Sequence, residues 1–210
     1  IENVWLSYTD KNILEDINLD IYQGDFLLIT GPNGGGKTSL LRTILRLQSP
    51  TKGRISFFRQ GEPVSSLDMG YLPQKNSIDS RFPITVEEVV ASGLMGNTQK
   101  GNTKFDSKKE IDEMLDLMGI TALRNKPIGV LSGGQLQRSL FGRALISKPE
   151  MLILDEPASY IDRQFGNRMF EILRDLSSNG TTIMMVSHEI EPFITLSNRN
   201  LYINHILGDR

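Results

Sequence analysis

A glycine-rich loop between an apolar strand and a helix constrains the fold of this 210-residue chain more than any other feature. Residues 31–38, Gly-Pro-Asn-Gly-Gly-Gly-Lys-Thr, follow the short apolar run Phe26–Thr30 and precede residues 39–47, where apolar side chains recur at helical spacing. The spacing G-x-x-x-x-G-K-[ST] lets consecutive backbone N–H groups surround phosphate oxygens at the positive end of a helix dipole. The sequence therefore predicts a phosphate-binding loop at residues 31–38, with an ordinary glycine-rich turn as the weaker alternative.

Two side chains of this loop have specific expected roles. Lys37 would reach the β- and γ-phosphates, and the hydroxyl of Thr38 would be a ligand of Mg²⁺. The residues predicted to bind the nucleotide here are Gly31, Pro32, Asn33, Gly34, Gly35, Gly36, Lys37, Thr38 and Ser39.

A second segment, residues 151–157, is an apolar run that ends in two carboxylates and a proline. A strand of a parallel sheet covered on both faces is uniformly apolar, and ligands gather at its carboxyl end. Asp155 is expected to hold Mg²⁺ through its water shell, and Glu156 to orient or deprotonate an attacking water. The alternative, two acidic residues that end a strand in solvent, is disfavoured by the phosphate-binding loop upstream.

Residues 131–135, Leu-Ser-Gly-Gly-Gln, complete a pattern that resembles the nucleotide-binding subunit of ABC transporters over nearly the whole chain. The match is to the signature motif of that family. Ser132 stands where a helix would begin, and two glycines allow backbone to approach an anion closely. The segment also reads as an N-capped helix start, with Ser132 as the cap and Gln137 following, and both readings can hold together.

The resemblance implies that two copies of the chain form a head-to-tail dimer with two shared ATP sites. In such a dimer the γ-phosphate held by one copy meets the signature motif of the other. The residues implied on this surface are Ser132, Gly133, Gly134, Gln135 and Asp162.

Three further single residues match the family pattern by order and spacing. Tyr8 resembles the aromatic residue that stacks on adenine, and Gln74 resembles the glutamine that senses Mg²⁺ and water. His188 resembles the switch histidine that contacts the γ-phosphate. The implied catalytic set is Glu156, His188, Lys37 and Gln74, and the implied Mg²⁺ ligands are Thr38, Gln74 and Asp155.

Two positions depart from the family pattern. Tyr160 stands where a small residue usually precedes an aliphatic residue and an Asp, and it is bulky for a tight interface between two copies. Gly35 stands where many members have Ser. Its greater ordering entropy costs about 0.5–1 kcal/mol, but glycine admits backbone angles that the loop could need.

Composition favours a peripheral protein at the cytoplasmic face of a membrane. The sequence contains no cysteine, no segment typical of a signal peptide and no apolar run near the roughly 18 residues of a spanning helix. A formal net charge of −2 gives no basic surface for nucleic acid.

The order of elements predicts an α/β fold with a P-loop NTPase core: a mostly parallel sheet, an N-terminal antiparallel β part and an inserted helical subdomain. Residues 1–75 and 129–210 form the core and 76–128 the helical subdomain of a single domain. Within the subdomain, Thr85 with Glu88 and Ser107 with Glu110 predict helix starts, and Gly119 predicts a helix end. Residues 201–203 predict a final strand with a short tail.

The helical subdomain resembles that of the ATPases of zinc and manganese importers. The likeness rests on residues 79–93 and on Pro127-Ile128-Gly129. A groove near residues 75–94 would receive the membrane permease, although Phe82, Val86, Val89 and Val90 also read as the apolar face of a core helix. Two histidines and no cysteines offer no transition-metal site, so substrate choice would lie in the permease and an external binding protein.

Several other functions share these motifs. The ATPase of a siderophore, haem or cobalamin importer is the strongest competitor, and an exporter subunit is a weaker one. A DNA-repair ATPase would separate the loop from the signature by a long coiled coil, and a translation-type protein would carry two cassettes. A protein that binds ATP only structurally would lack Gln74, Glu156 or His188.

Overall fold

The computed structural model describes residues 1–209 except 10, 75–82, 96–103, 189–190 and 192. It contains two compact units, which are described in turn. The first unit comprises residues 1–67 and 172–210, and the second comprises residues 68–171.

The first unit contains strands from both ends of the chain, the helix that follows the phosphate-binding loop and the end of α5 (Arg163–Ser178). Its elements are β1 (Glu2–Tyr8), β2 (Lys11–Ile17), β3 (Phe26–Thr30), α1 (Lys37–Ile44), β4 (Lys52–Arg54), β5 (Phe57–Arg59), β6 (Glu62–Val64), β9 (Thr182–Val186), β10 (Arg199–Asn204) and β11 (Ile206–Asp209).

The second unit contains a pair of strands and most of the helical structure. Its elements are β7 (Met69–Leu72), α2 (Val86–Ser92), α3 (Lys104–Leu117), two short 3₁₀ turns (Thr121–Leu123 and Ile128–Val130), α4 (Gly133–Leu145), β8 (Met151–Asp155) and the beginning of α5 (Arg163–Ser178).

The N-terminal β part of the first unit is antiparallel. Strand β1 pairs with β2 on one side and with β4 on the other. Val4 and Leu6 of β1 and Leu14 and Ile17 of β2 are buried, while the residues beside them are more exposed. This alternation is typical of a sheet with one covered face, because successive side chains point to opposite faces.

The parallel part of the first unit is centred on β3. Strand β9 pairs with β3 in parallel on one side and β10 on the other, and all five residues of β3 and of β9 are buried. The uniformly apolar run before the phosphate-binding loop is therefore explained by a strand with both faces covered.

The C-terminal segment differs from its prediction. The predicted final strand at residues 201–203 lies within β10, but the predicted tail forms an additional strand, β11, which pairs antiparallel with β10. His205 alone separates the paired residues Asn204 and Ile206. The turn escaped prediction because it has none of the Gly or Asn-Gly signals of a hairpin.

In the second unit, β7 and β8 pair in parallel, with Leu72 opposite Leu154. Helix α2 begins as predicted, because Thr85 and Glu88 form a reciprocal capping box. Gly119 has a φ of 65° two residues after α3 ends, which confirms the predicted helix end.

The predicted start of α3 is wrong. The helix begins at Lys104, so Ser107 lies inside it and does not cap it. A serine followed by a glutamate marks a helix start only where the preceding backbone is not helical, and residues 104–106 already are.

The pairings and helices confirm the predicted fold class, an α/β fold with a mostly parallel sheet and an antiparallel β part. Both predicted boundaries of the helical subdomain, after residues 75 and 128, fall within the second unit, and the subdomain stays a prediction. Over the described residues, every helix is too short or too polar to cross a membrane.

Candidate functional site

The phosphate-binding loop joins the buried end of β3 to the first turn of α1. Gly31, Gly34 and Gly36 have φ values of 142°, 79° and 99°, a region that favours glycine, and Gly36 is the N-cap of α1. The ammonium Nζ of Lys37 donates to the carbonyl oxygens of Gly31 and Pro32, both at 2.9 Å. The lysine is 7% exposed, so its charge is held within the loop and beside the helix N-terminus.

The backbone of the loop packs tightly against the β10–β11 hairpin and β2. A Cβ atom on Gly31 would lie 2.0 Å from the carbonyl oxygen of Ile203, and one on Gly35 would lie 2.9 Å from it. A Cβ on Gly36 would lie 2.7 Å from the carbonyl oxygen of Ile13. Gly35 does not have a positive φ, so space, and not the backbone angle considered from the sequence, explains glycine at this position.

His188 lies beside this loop. It follows β9 by two residues and is exposed, and its Nε2 is 3.0 Å from Oδ1 of Asn33. The structure therefore brings together three predicted site residues of the first unit: Asn33 and Lys37 of the loop, and His188 from the segment after β9.

Tyr8 and the first turn of α1 complete the predicted residues of the first unit. Tyr8 ends β1, is 49% exposed and donates its hydroxyl to Oε1 of Gln48 at 2.6 Å. Thr38 and Ser39 lie in the first turn of α1 and are half-buried. The tyrosine ring is thus held by its hydroxyl end while about half of its surface remains open to a ligand.

The carboxylates and the predicted glutamine lie at one edge of the second unit's strand pair. Asp155 is the last residue of β8 and is 1% exposed, and Glu156 follows it with a φ of 54°. Gln74 follows β7 by two residues and is exposed. Because β7 and β8 are parallel neighbours, Gln74 and the two carboxylates leave the same sheet edge.

The signature residues 131–135 form the start of α4. The Oγ of Ser132 accepts the main-chain N–H of Gln135 at 3.3 Å, and Oε1 of Gln135 accepts the N–H of Ser132 at 3.0 Å. This capping box confirms the predicted helix start, but the partner is Gln135 and not Gln137, because the reciprocal position is the third helical residue.

A cavity of about 530 Å³ opens beside this helix start. Its lining includes residues 132–135, Arg138, Tyr160 and Asp162, all within the second unit. The helix dipole and the two glycines of the signature face a space of the size that a small-molecule group can enter.

Two side chains of α4 outside the predicted site hold the loop from Glu156 to Asp162 against this helix. Gln137 is 1% exposed and donates Nε2 to the carbonyl oxygen of Pro157 at 3.2 Å. Arg138 pairs with Asp162 and also lies over the ring of Phe165, 4.5 Å from its centroid. No local pattern identifies Gln137 and Arg138, because their partners lie 20 and 24 residues later in the chain.

Asp162 has partners for both carboxylate oxygens within its own chain. Its Oδ1 accepts the N–H of Phe165 at 3.0 Å, and its Oδ2 accepts from Arg138. The N–H of Phe165 and then the Arg138 guanidinium lower the pKa of Asp162 below its ordinary value of 3.8. Asp162 therefore acts as the N-cap of α5 and stays ionised at neutral pH.

Tyr160 combines an exposed side chain with a constrained backbone. Tyr160 has a φ of 67° and is 61% exposed. A Cβ on Gly134 would lie 2.9 Å from the carbonyl oxygen of Tyr160. The ring of Tyr160 is directed away from the core of its own chain. The carbonyl of Tyr160 leaves too little room for a Cβ at residue 134, so the signature needs glycine there.

Comparison with known proteins gives consistent results. The ABC transporter family model matches residues 14–159. A protein of Chlamydia pneumoniae named Probable metal transport system ATP-binding protein is 40% identical over 93% of this chain and 81% of its own length. The zinc uptake system ATP-binding protein ZurA of Listeria monocytogenes is 36% identical over 99% and 80%, and the zinc import ATP-binding protein ZnuC of Haemophilus influenzae is 34% identical over 97% and 70%.

Two solved structures have the same fold. A dimeric ATP-binding cassette in a post-hydrolysis state bound to ADP and Pi is 25% identical, with a TM-score of 0.84 over 99% of this chain and 97% of that one. An inward-facing transporter assigned to the metal-chelate type of ABC transporter is 28% identical, with a TM-score of 0.78 over 99% and 81%.

Proposed function

This chain belongs to the ABC transporter family of ATP-binding proteins, and we propose that it powers the import of zinc or manganese. It is an ATPase and the ATP-binding subunit of an importer, most similar to zinc and metal import ATP-binding proteins. The observation that supports ATPase activity most directly is a phosphate-binding loop that holds Lys37 and lies against His188. The choice of metal is supported by the names of the relatives.

We assign the ATP site as follows. Residues 31–39 bind the phosphates, and Tyr8 stacks its half-exposed ring on adenine. Lys37 neutralises charge on the β- and γ-phosphates, which is the main contribution a protein makes to phosphoryl transfer. His188 contacts the γ-phosphate as a donor, and its distance of 3.0 Å from Asn33 supports this role.

A second set of groups acts on water and on Mg²⁺. Glu156 orients and deprotonates the attacking water, and Gln74 senses water and metal. Thr38, Gln74 and Asp155 offer a hydroxyl, an amide oxygen and a carboxylate, which fit Mg²⁺ because this ion prefers oxygen ligands. The bound Mg²⁺ would supply charge neutralisation at the phosphate oxygens.

The signature residues act on a second copy of the chain. Ser132, Gly133, Gly134 and Gln135 approach the γ-phosphate held by the other copy, with Asp162 in the same interface. The similarity to a dimeric cassette supports the dimer, and the open cavity beside residues 132–135 supports a ligand there. Tyr160, exposed at the same cavity, would lie at this interface.

The permease docks near residues 75–94 and receives the motion of the cassette through the segment around Gln74. Residues 75–82, including Phe82, lie outside the described part of the chain. Val86, Val89 and Val90 of α2 are buried, so this apolar face packs in the core and the docking surface uses other side chains of the region. An external binding protein acts indirectly, through the permease.

The chain is peripheral at the cytoplasmic face of the membrane and forms one ATPase domain, with 76–128 as its helical subdomain. No helix in the described residues could span a membrane, and the names of the relatives, a metal transport system and a zinc uptake system, support association with a membrane subunit. Nucleic acid is not a partner in this proposal.

A second candidate is the ATPase of a metal-chelate importer, for siderophore, haem or cobalamin. It is favoured by the likeness to the metal-chelate type of transporter at 28% identity. The catalytic groups serve both candidates, so only the transported substrate distinguishes them.

The test is the metal content of cells that depend on this protein. Cells whose single copy is wild type, Lys37→Ala or the surface control Glu62→Gln are grown under metal limitation, and zinc, manganese and iron are measured. A selective fall in zinc or manganese in Lys37→Ala alone supports the proposal. A fall in iron, or unchanged zinc and manganese while the wild-type protein hydrolyses ATP, removes the metal assignment and favours the chelate importer or another substrate class.

A further inference from the structure

His205 is the turn residue of the β10–β11 hairpin, outside the predicted site. It has a φ of 64°, a region that glycine adopts most readily, and it is partly buried. A large side chain in this backbone region is uncommon and suggests that the side chain has a role in its surroundings.

Two main-chain hydrogen bonds join His205 to both neighbours of the hairpin. Its N–H donates to the carbonyl oxygen of Gly35 at 2.9 Å, and its carbonyl oxygen accepts the N–H of Glu15 at 2.8 Å. The first bond reaches the phosphate-binding loop and the second reaches β2. The turn therefore bridges the loop and the strand through backbone alone.

The imidazole makes a third connection. Its Nδ1 lies 3.1 Å from the carbonyl oxygen of Ile13 in β2. A carbonyl oxygen can only accept, so this contact is a hydrogen bond when Nδ1 carries the hydrogen. Both the neutral δ tautomer and the imidazolium satisfy that condition, so protonation of the ring leaves the bond in place.

The atoms that His205 connects are those that confine the phosphate-binding loop. The carbonyl of Ile13 is the group that a Cβ on Gly36 would meet, and Ile203, two residues before His205, confines Gly31 and Gly35. The loop thus lies between β2 and the hairpin, and His205 connects these two elements by hydrogen bonds.

We infer that His205 is a positioning residue for ATP binding: its imidazole fixes the hairpin to β2 and so holds the phosphate-binding loop in its binding geometry. The inference rests on the proposed role of residues 31–38 in binding the phosphates. A loop held in shape before binding loses less freedom when the ligand arrives, so affinity rises without a new contact. The imidazole is not assigned to the reacting atoms, so its effect falls on ATP affinity and not on kcat.

Three substitutions of His205 distinguish the effect of the imidazole from the effect of the turn backbone. His205→Gly accepts the positive φ and retains both main-chain bonds while it removes the ring. His205→Asn also tolerates this backbone region and places an N–H donor at the same distance from Cβ as Nδ1. His205→Gln moves the donor one bond farther out, and Asn204→Ser alters the adjacent exposed residue as a control.

The experiment measures Kd for a fluorescent ATP analogue, and KM and kcat for ATP hydrolysis, in the 210-residue protein. We expect His205→Gly to raise Kd and KM about three- to tenfold, the effect of one lost hydrogen bond, with kcat within about twofold of wild type. His205→Asn should restore both constants, and His205→Gln should not. Asn204→Ser should match wild type.

Three results would overturn the inference: wild-type affinity in His205→Gly, equal weakening in the Gly and Asn variants, or a fall in kcat at constant KM. Thermal unfolding is measured for every variant, and if His205→Gly does not fold, the ratio of Kd between His205→Asn and His205→Gln decides. Lys37→Ala tests the premise separately. If it binds ATP like wild type, the role of the loop fails whatever His205 does.

Discussion

Nε2 of His188 lies 3.0 Å from Oδ1 of Asn33, which brings the segment after β9 into contact with the phosphate-binding loop. An amide oxygen only accepts, so the contact requires hydrogen on Nε2, the nitrogen that would face a phosphate oxygen in the proposed site. The amide of Asn33 thus holds the imidazole beside the loop with hydrogen on Nε2, and this one N–H would pass from Asn33 to a γ-phosphate oxygen when ATP binds.

Replacing His188 should slow hydrolysis more than it weakens ATP binding. We expect His188→Ala to lower kcat about 10²-fold or more, because a donor that acts on developing charge counts mainly in the transition state. Kd for the ATP analogue should stay within about threefold of wild type. Steady-state hydrolysis and equilibrium binding of the same preparations check both values.

The variant Asn33→Ala provides the control for this prediction. If Asn33 orients His188, the effects of His188→Ala and Asn33→Ala on kcat should be less than additive in the double variant. Full additivity, or a His188→Ala enzyme with normal kcat, would contradict the assigned role.

Local signals predicted the main elements of the fold correctly. The phosphate-binding loop, the apolar strand before Asp155 and the capping box of Thr85 with Glu88 each depend on residues close in sequence, and all are present. The start of α3 was misplaced because Ser107 and Glu110 satisfy a capping pattern that the helical residues before them override.

What the sequence could not indicate depends on contacts between distant segments. Gly35 is required by a carbonyl oxygen 168 positions later in the chain, at residue 203, and the bond between Gln137 and Pro157 joins a helix to a loop after the next strand. No local pattern encodes either contact, because each arises only when the strands pair. The roles of the site residues stay predictions for the same reason, since they depend on a nucleotide.

Glu156→Gln should separate ATP binding from hydrolysis. The amide cannot take a proton from water, so we expect kcat to fall by at least about 10²-fold while ATP binding persists. Because the bound ATP is then not consumed, the variant should accumulate as a dimer with MgATP. Light scattering at saturating MgATP measures the mass, with Glu62→Gln as the exposed control. A monomer under these conditions, or hydrolysis at the wild-type rate, would contradict the prediction.

Asp162 should contribute to stability in a pH-dependent way. Its pKa is lowered in the folded protein by the N–H of Phe165 and by Arg138, so its contribution is present above the unfolded pKa near 3.8. The contribution is lost as pH falls through the folded pKa. Asp162→Asn retains an acceptor for Phe165 but loses the ion pair. The side chain is 55% exposed, so we expect a loss of about 1 kcal/mol or less at pH 7.

Urea unfolding of wild type and Asp162→Asn at pH 7, 5, 4 and 3 measures this dependence. The difference in free energy of unfolding should be constant from pH 7 to 5 and should shrink below pH 4, where the wild-type carboxylate takes up its proton. A difference that grows towards acid pH would show that another group controls the pair. Asp175→Asn, at an exposed position later in α5, is the matched substitution.

Gly35→Ala should destabilise the phosphate-binding loop, although alanine usually favours folding over glycine. The new Cβ would lie 2.9 Å from the carbonyl oxygen of Ile203 and 3.1 Å from that of Pro32. Both neighbours are backbone, which cannot rotate away as a flexible side chain can. We expect a loss of about 1–3 kcal/mol in the free energy of unfolding, as for other overpacked sites, and a raised KM for ATP. Gly35→Ser adds the same Cβ and should act in the same direction.

Gly166→Ala in α5 is the matched control, because nothing lies within 4 Å of its Cβ and its φ is not positive. This substitution should be neutral or stabilise the protein by up to about 1 kcal/mol. Urea unfolding and ATP titrations of the two alanine variants compare them directly. Equal stability and equal KM would mean that the β10–β11 hairpin does not confine the loop in solution, and would remove the steric reason for glycine at residue 35.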